Sequence, residues 1–283
     1  MGYNSQQMLM AATKDKTIGR NIVYLSETLT LQDIKNGMLK KWLRSLIDKK
    51  LMPDNRLNQL HDDLIAPEAV AMIAEREFLL ELKKNLGSDS WPTDKRWDTK
   101  VGFSNWSGIK VKAFRIGTTN FYVKRVIEID LSRHYLFGNE EAGRKGTIPT
   151  TLKALTHLRK LNLCYNFIVG HIPPSIVELP ELTEVRLEFN HLSGNLPKGM
   201  SALKNLKKLS IDHNKIGGKI DELAQLPAIT DLNIHENLFS ELIPETMADN
   251  NALTHFWFYG NNLSMGPEVT KREKASADWK SQE

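Results

Sequence analysis

The chain has 283 residues, 41% of them apolar, and a formal charge of +4 from 38 basic and 34 acidic side chains. That length and apolar share suffice for a large core, and so small a charge on so long a chain argues against nucleic acid as the main partner. Cys164 is the only cysteine, which excludes an internal disulfide. No segment approaches the roughly 20 apolar residues of a transmembrane helix, and the run Met8 to Ala12 is too short for a signal-peptide core.

The first 65 residues carry few signals. Thr30-Leu31-Gln32-Asp33 has the form of a capping box, and Leu31, Ile34, Met38, Trp42, Leu46 and Ile47 fall at helical spacing. One helix from 31 to about 51 is predicted, made basic by Lys40, Lys41, Arg44, Lys49 and Lys50. Its first reading is a solvated face over a packed apolar stripe; contact with a membrane surface or a partner is the weaker one. Met52-Pro53-Asp54 ends this helix, and Leu57, Leu60 and Leu64 mark a shorter one. Pro67 then opens a helix that Gly87 closes. Trp91, Trp97 and Trp106 follow. Val111 to Phe114, the Gly117-Thr118-Thr119-Asn120 turn and Phe121 to Val123 read as a hairpin.

From residue 126 one apolar phrase recurs. It reads Leu158-x-x-Leu161-x-Leu163-x-x-Asn166 and returns four times, closing on Asn190, Asn214, Asn237 and Asn261 at spacings of 24, 24, 23 and 24. An atypical copy precedes these, Val126-x-x-Ile129-x-Leu131-x-x-His134, with histidine in place of asparagine. Alternation within the phrase is the period of a short strand with one buried face, so each copy adds one strand to a parallel sheet. The chain must then turn inside the core, and a buried asparagine amide supplies both the donor and the acceptor that the turning backbone lacks. His134, Asn166, Asn190, Asn214, Asn237 and Asn261 are thus the expected structural ladder. Gly170-x-Ile172-Pro173, Gly194-x-Leu196-Pro197 and Gly218-x-Ile220 then predict an irregular, extended convex side with short 3₁₀ turns. Asn139 to Lys145 are extra to the first unit and should loop outward.

These repeats resemble the leucine-rich repeat, whose period lies between about 20 and 29 residues, in its plant-specific class. Phe78 to Gly87 with Trp91, Trp97 and Asn105-Trp106-Ser107-Gly108-Ile109 resembles the N-terminal cap of such proteins. The resemblance implies an α/β leucine-rich repeat solenoid, with a curved parallel β-sheet on the concave side and an α-helical N-terminal extension and cap. Secreted members carry cap cysteines where this chain has Ser104 and Val111, so the cap disulfide cannot form. The expected organisation is a helical extension (1–65), a cap (66–125), six repeats (126–267) and a polar, disordered tail (268–283).

No phosphate-binding loop, nucleophile elbow, zinc-protease motif or Cys-x-x-Cys occurs, so no enzyme and no cofactor are expected. His213, His235 and His255 lie near adjacent strands but in different columns and without a spaced carboxylate or cysteine, so no metal is expected either. Nothing beside Cys164 would activate its thiol.

The concave surface remains. Side chains between the core leucines form columns across strands roughly 4.8 Å apart. One column is Glu128, Lys160, Glu184, Lys208, Asp231 and His255, alternating in sign; a second contains Arg186 and Trp257. A third is Ser132, Cys164, Glu188, Asp212, His235 and Tyr259, flanked by Arg133, Tyr165, Phe189, His213, Glu236 and Gly260. Exposed aromatic anchors mark binding surfaces, whereas Trp257 and Tyr259 could equally cover the C-terminal edge. The candidate protein-binding set is Tyr165, Arg186, Glu188, Phe189, Asp212, His213, His235, His255, Trp257 and Tyr259.

The sequence therefore reads as a non-enzymatic recognition module or adaptor that binds a partner protein through its concave face, in the cytoplasm or nucleus rather than secreted. A structural subunit of a larger assembly, or a secreted or receptor-like sensor of a peptide or glycan, is the alternative. Sequons at Asn105 and Asn262 would matter only for the sensor.

Overall fold

The computed structural model describes residues 12–14, 21–24, 30–41, 44, 65–86, 97, 102–117, 121–137 and 146–281. The chain divides into two units, Met1–Glu77 with Asp94–Val126, and Phe78–Thr93 with Ile127–Glu283. The division runs through the helix Ala66–Asn85 and falls at Val126, where the sequence suggested boundaries at 65/66 and 125/126.

In the first unit, β1 (Ala12–Lys14) and β2 (Asn21–Tyr24) pair antiparallel. The capping box forms as expected: the Thr30 hydroxyl accepts from Asp33 N at 3.2 Å, and Thr30 N donates to Asp33 Oδ2 at 2.9 Å. The helix it starts is only Leu31–Lys35, not one helix to about 51. Gly37, at φ +70°, breaks it in the left-handed region; residues 38–41 are helical again, with Leu39 fully buried. Trp42, Leu46, Ile47, Trp91 and the short helix around Leu57 to Leu64 lie outside the described residues.

The helix Ala66–Asn85 buries Ala69, Met72 and Ile73 in its first half and Phe78, Leu79 and Leu82 in its second. Trp97 and Trp106 stack at 4.8 Å, Phe103 meets Trp106 edge-on, and Trp97 Nε1 donates to Ser107 O at 3.0 Å. The expected hairpin is β3 (Ile109–Arg115) paired with β4 (Phe121–Asp130), longer than the sequence suggested. Val23 and Tyr24 of β2 lie opposite Phe121 and Tyr122 of β4. Arg125 is buried between Glu75 and Glu68, with Nε 2.7 Å from Glu75 Oε1 and Nη1 3.0 Å from Glu68 Oε2. Glu75 also accepts from Val126 N at 2.9 Å. Burial drives the Glu75 carboxyl up to about 7, with Arg125 pulling it down.

The second unit is the repeat array. The alternating phrases form strands β5 (Lys160–Asn162), β7 (Glu184–Arg186), β9 (Lys208–Ser210), β11 (Asp231–Asn233) and β13 (His255–Trp257), which join the end of β4 in a parallel sheet. The register is that of the columns: Glu128 lies opposite Lys160, Lys160 opposite Glu184, Glu184 opposite Lys208. After each strand comes a strand of a second parallel sheet: β6 (Val169–Gly170), β8 (His191–Asn195), β10 (Lys215–Gly218), β12 (Leu238–Leu242) and β14 (Asn262–Ser264). The sequence reading predicted irregular backbone here. Stacked coils at one spacing bring their extended segments together as surely as their leucine strands, and the free N–H and C=O groups pair. Beyond them the expected 3₁₀ turns appear at Thr150–Ala154, Pro174–Glu178 and Met200–Ala202, with short α-helices at Asp221–Ala224 and Thr246–Asp249 in the later coils. Asn139 to Lys145 lie outside the described residues.

The tail is not disordered as expected. Pro267–Ala275 is a helix that buries Val269, and β15 (Trp279–Lys280) adds to the sheet beside β13, with Trp279 2% exposed opposite Phe256. An open end of an apolar core is costly in water, and Trp279 with Val269 of the preceding helix covers it here.

Candidate functional site

The asparagine ladder positions the candidate site. Asn190 Nδ2 donates to the carbonyls of Leu163 and Leu187 at 3.0 Å and of Glu188 at 3.3 Å, while Oδ1 accepts from Ile168 N at 3.0 Å. Asn166, Asn214, Asn237 and Asn261 repeat the pattern. His134 occupies the first rung differently: its backbone N–H donates to Asn166 Oδ1 at 3.1 Å, and its ring Nδ1 faces Ser132 O.

With the asparagine held inward, the residue before it is forced into left-handed backbone. Arg133, Tyr165, Phe189, His213 and Glu236 all have φ between 51° and 56°. Such conformations cost on the order of 1 kcal/mol or more at non-glycine residues and persist where surrounding hydrogen bonds over-determine them. The result is a row of side chains projecting at the rim of the sheet. The Arg133 guanidinium lies 4.6 Å over Tyr165, Tyr165 stacks on Phe189 at 4.3 Å, and Phe189 stacks on His213 at 3.9 Å. Residues just after the ladder form a second row, Tyr135, Phe167, His191 and Lys215, in which Tyr135 and Phe167 stack at 6.3 Å and Phe167 meets His191 at 6.0 Å. Between the rows runs a groove of about 720 Å³ with Asn166, Asn190 and Asn214 along it.

The sequence reading found the first row and missed the second. Its signal was present, because each member directly follows a ladder position, but it lies outside the repeat phrase, which stops at the asparagine.

The other candidates divide. Glu188, Asp212 and His235, taken as surface residues, are buried, at 4, 4 and 6% exposure. The flanking row leans over their column: His213 meets His235 edge-on at 5.0 Å, and His235 stacks on Tyr259 at 4.4 Å. Trp257 and Tyr259 are half-buried, and Lys280 Nζ sits 5.4 Å over the Trp257 ring. The C-terminal edge is covered by β15 and Trp279, so these two rings are not its cover. Arg186 is exposed and donates through Nε to Glu188 Oε1 at 3.0 Å; His255 is exposed, with Nδ1 3.4 Å from Asp231. The alternating column pairs internally, Lys160 with Glu184 at 2.9 Å and Lys208 with Asp231 at 3.8 Å.

Burial governs the electrostatics of the third column. It pushes the Cys164 thiol up to about 12, reinforced by Glu188, which fits an inert cysteine. It raises the Asp212 carboxyl despite the bond from His213, and it lowers His235 to about 4, with His213 adding to the shift. Contrary to the sequence expectation, all three histidines find a carboxylate, His255 that of Asp231 and the other two that of Asp212. Asp212 Oδ2 lies 3.1 Å from His213 Nδ1 and 3.6 Å from His235 Nε2.

Among known proteins, a family model of the leucine-rich repeat matches residues 157–179. No curated protein matches the chain in sequence. The leucine-rich repeat ectodomain of the receptor kinase SOBIR1 from Arabidopsis thaliana is 27% identical, with a TM-score of 0.56 over 68% of this chain and 96% of that one. The BIR2 ectodomain from the same plant is 25% identical, with a TM-score of 0.50 over 67% and 94%. The Arabidopsis receptor kinase HAESA, solved with the peptide hormone IDA and the co-receptor SERK1, has the same fold at 24% identity and a TM-score of 0.54, over 67% of this chain and 30% of that one. Among the described residues no helix is long and apolar enough to cross a membrane. Repeat phrase, asparagine ladder, second parallel sheet and these likenesses agree: the chain has the leucine-rich repeat fold and is similar to the plant-type ectodomains built on it.

Proposed function

We propose that the chain is a non-enzymatic recognition module that takes an extended segment of a partner protein into the groove between the two side-chain rows. The observation that carries this reading is the exposure of stacked aromatic rings at its lip: Tyr135 is 69% exposed, Phe167 45% and Tyr165 39%. Large rings held rigid by stacking supply contact area at little entropic cost, which is why aromatic residues dominate binding hot spots. Arg133 and Lys215 line the groove, and among the described residues no acidic side chain does. The favoured ligand therefore carries carboxylates beside apolar or aromatic side chains. Arg186, His255 and Trp257 on the concave sheet would extend the contact.

Random peptides displayed on phage and selected on the folded chain test this. Enriched peptides should be acidic and should lose binding to a Tyr135→Ala, Phe167→Ala variant that keeps its circular dichroism. Equal binding to both proteins would remove the groove from the function.

The same groove serves an adaptor or a receptor-like sensor. Likeness to ectodomains favours the sensor and weighs against the cytoplasmic placement expected from the sequence. Asn105 and Asn262 are both exposed, so glycan at either site on expression in a secretory host tests it; failure to enter the pathway would favour the adaptor.

A further inference from the structure

We propose that Asp212, His213 and His235 form a binding site for a divalent transition-metal ion of the zinc class, linking two adjacent coils of the solenoid. One ligand atom from each residue lies within 4.8 Å of the other two. In tetrahedral zinc sites, bonds of about 2.0 to 2.2 Å place neighbouring ligand atoms roughly 3.3 Å apart. The separations from Asp212 Oδ2, 3.1 Å to His213 and 3.6 Å to His235, fall on either side of that edge length. A plain Asp212–His213 hydrogen bond accounts for the first. It does not account for the second imidazole aimed at the same oxygen from beyond hydrogen-bond range.

The ligand types agree. Two imidazoles and one carboxylate suit zinc and its neighbours rather than calcium or magnesium, and three protein ligands leave a fourth position open. The donors are also held in place. Asp212 and His213 follow β9 and His235 follows β11, and the coils on either side are tied by Asn214 and Asn237. The His213 ring is clamped on Phe189 and the His235 ring on Tyr259, so neither must be ordered on binding.

The local charge balance points the same way. Glu188 and Asp212 are buried in one column, and among the described residues Glu188 Oε2 and His235 Nδ1 have no hydrogen-bond partner. Among the described residues these two buried carboxylates have one arginine or lysine partner, Arg186, on Glu188 Oε1. A dication beside Asp212 would relieve that excess. Half-buried His213 leaves a route to the site from solvent.

The untagged full chain, stripped with chelator, is titrated with Zn²⁺ by calorimetry at neutral pH and with Co²⁺ by visible absorption. The expected result is one site with a dissociation constant of about micromolar or tighter, the intense spectrum of four-coordinate cobalt, and a melting temperature raised by zinc. Asp212→Asn, His235→Phe and His213→Phe, the last keeping a ring against Phe189, should each bind at least about tenfold more weakly, since even changes outside the ligand shell cost that much. His255→Phe should bind as the parent does. Absence of zinc binding by the parent chain at micromolar concentration overturns the proposal whatever the variants do. Undiminished binding by folded Asp212→Asn and His235→Phe places any bound zinc elsewhere and overturns it too.

Discussion

Arg272 lies over Trp279, with its guanidinium carbon 4.3 Å from the ring centroid, and the same guanidinium donates to the carbonyls of Ala248 at 2.6 Å, Asn250 at 2.9 Å and Leu253 at 2.6 Å. One side chain therefore satisfies carbonyls left at the end of the last repeat and clamps the tryptophan that covers it. Trp279→Ala should cost about 3 to 5 kcal/mol, the range for deleting a buried aromatic side chain, read by urea denaturation. A loss under about 1 kcal/mol would mean that the sheet ends at β13.

The ladder makes a second expectation. Asn190→Ala removes three donated bonds and one accepted bond from buried backbone. Each group left unsatisfied is costly, so the loss should be on the order of 1 to 3 kcal/mol or more. Asn195→Ala, at an exposed position, should change the melting temperature little.

In the first unit, Glu75→Ala would take from the buried guanidinium of Arg125 its fully buried carboxylate partner, leaving the half-exposed Glu68, and would leave Val126 N without its acceptor. Truncating one partner of a buried pair costs about 3 to 5 kcal/mol, whereas the double change Glu75→Leu, Arg125→Leu should recover much of that loss. Equal destabilisation by single and double variants would show that the charges are not coupled.

His235 sets a pH dependence. Its native value, about 4, lies below its ordinary value of 6.5, so protonation favours the unfolded chain. This stability is present in full above pH 6.5 and is lost as pH falls from 6.5 through 4. A shift of one pKa unit corresponds to about 1.4 kcal/mol, and partial solvent access reduces the sum to on the order of 2 kcal/mol. Denaturation at pH 7 and pH 4.5 in the presence of chelator should show a smaller difference for His235→Phe than for the parent chain.

The sequence by itself determined the solenoid. The period of the apolar phrase, its internal alternation and the asparagine that closes it are local demands of burial and backbone hydrogen bonding, and any chain that meets them at this spacing stacks its coils. It likewise determined the register of the columns and the capping box at Thr30. Only the tertiary structure decided which column residues stay at the surface. Glu188, Asp212 and His235 alternate with the leucines as surface residues should, yet left-handed backbone at Phe189 and His213 tips a row of rings beside them, and burial depends on neighbours 22 to 24 positions away. The same holds for the helix 31–51 broken at Gly37 and for Trp279, an aromatic in a polar tail. Periodicity records which face an element offers; whether something comes to cover that face is settled by contacts that no local pattern encodes.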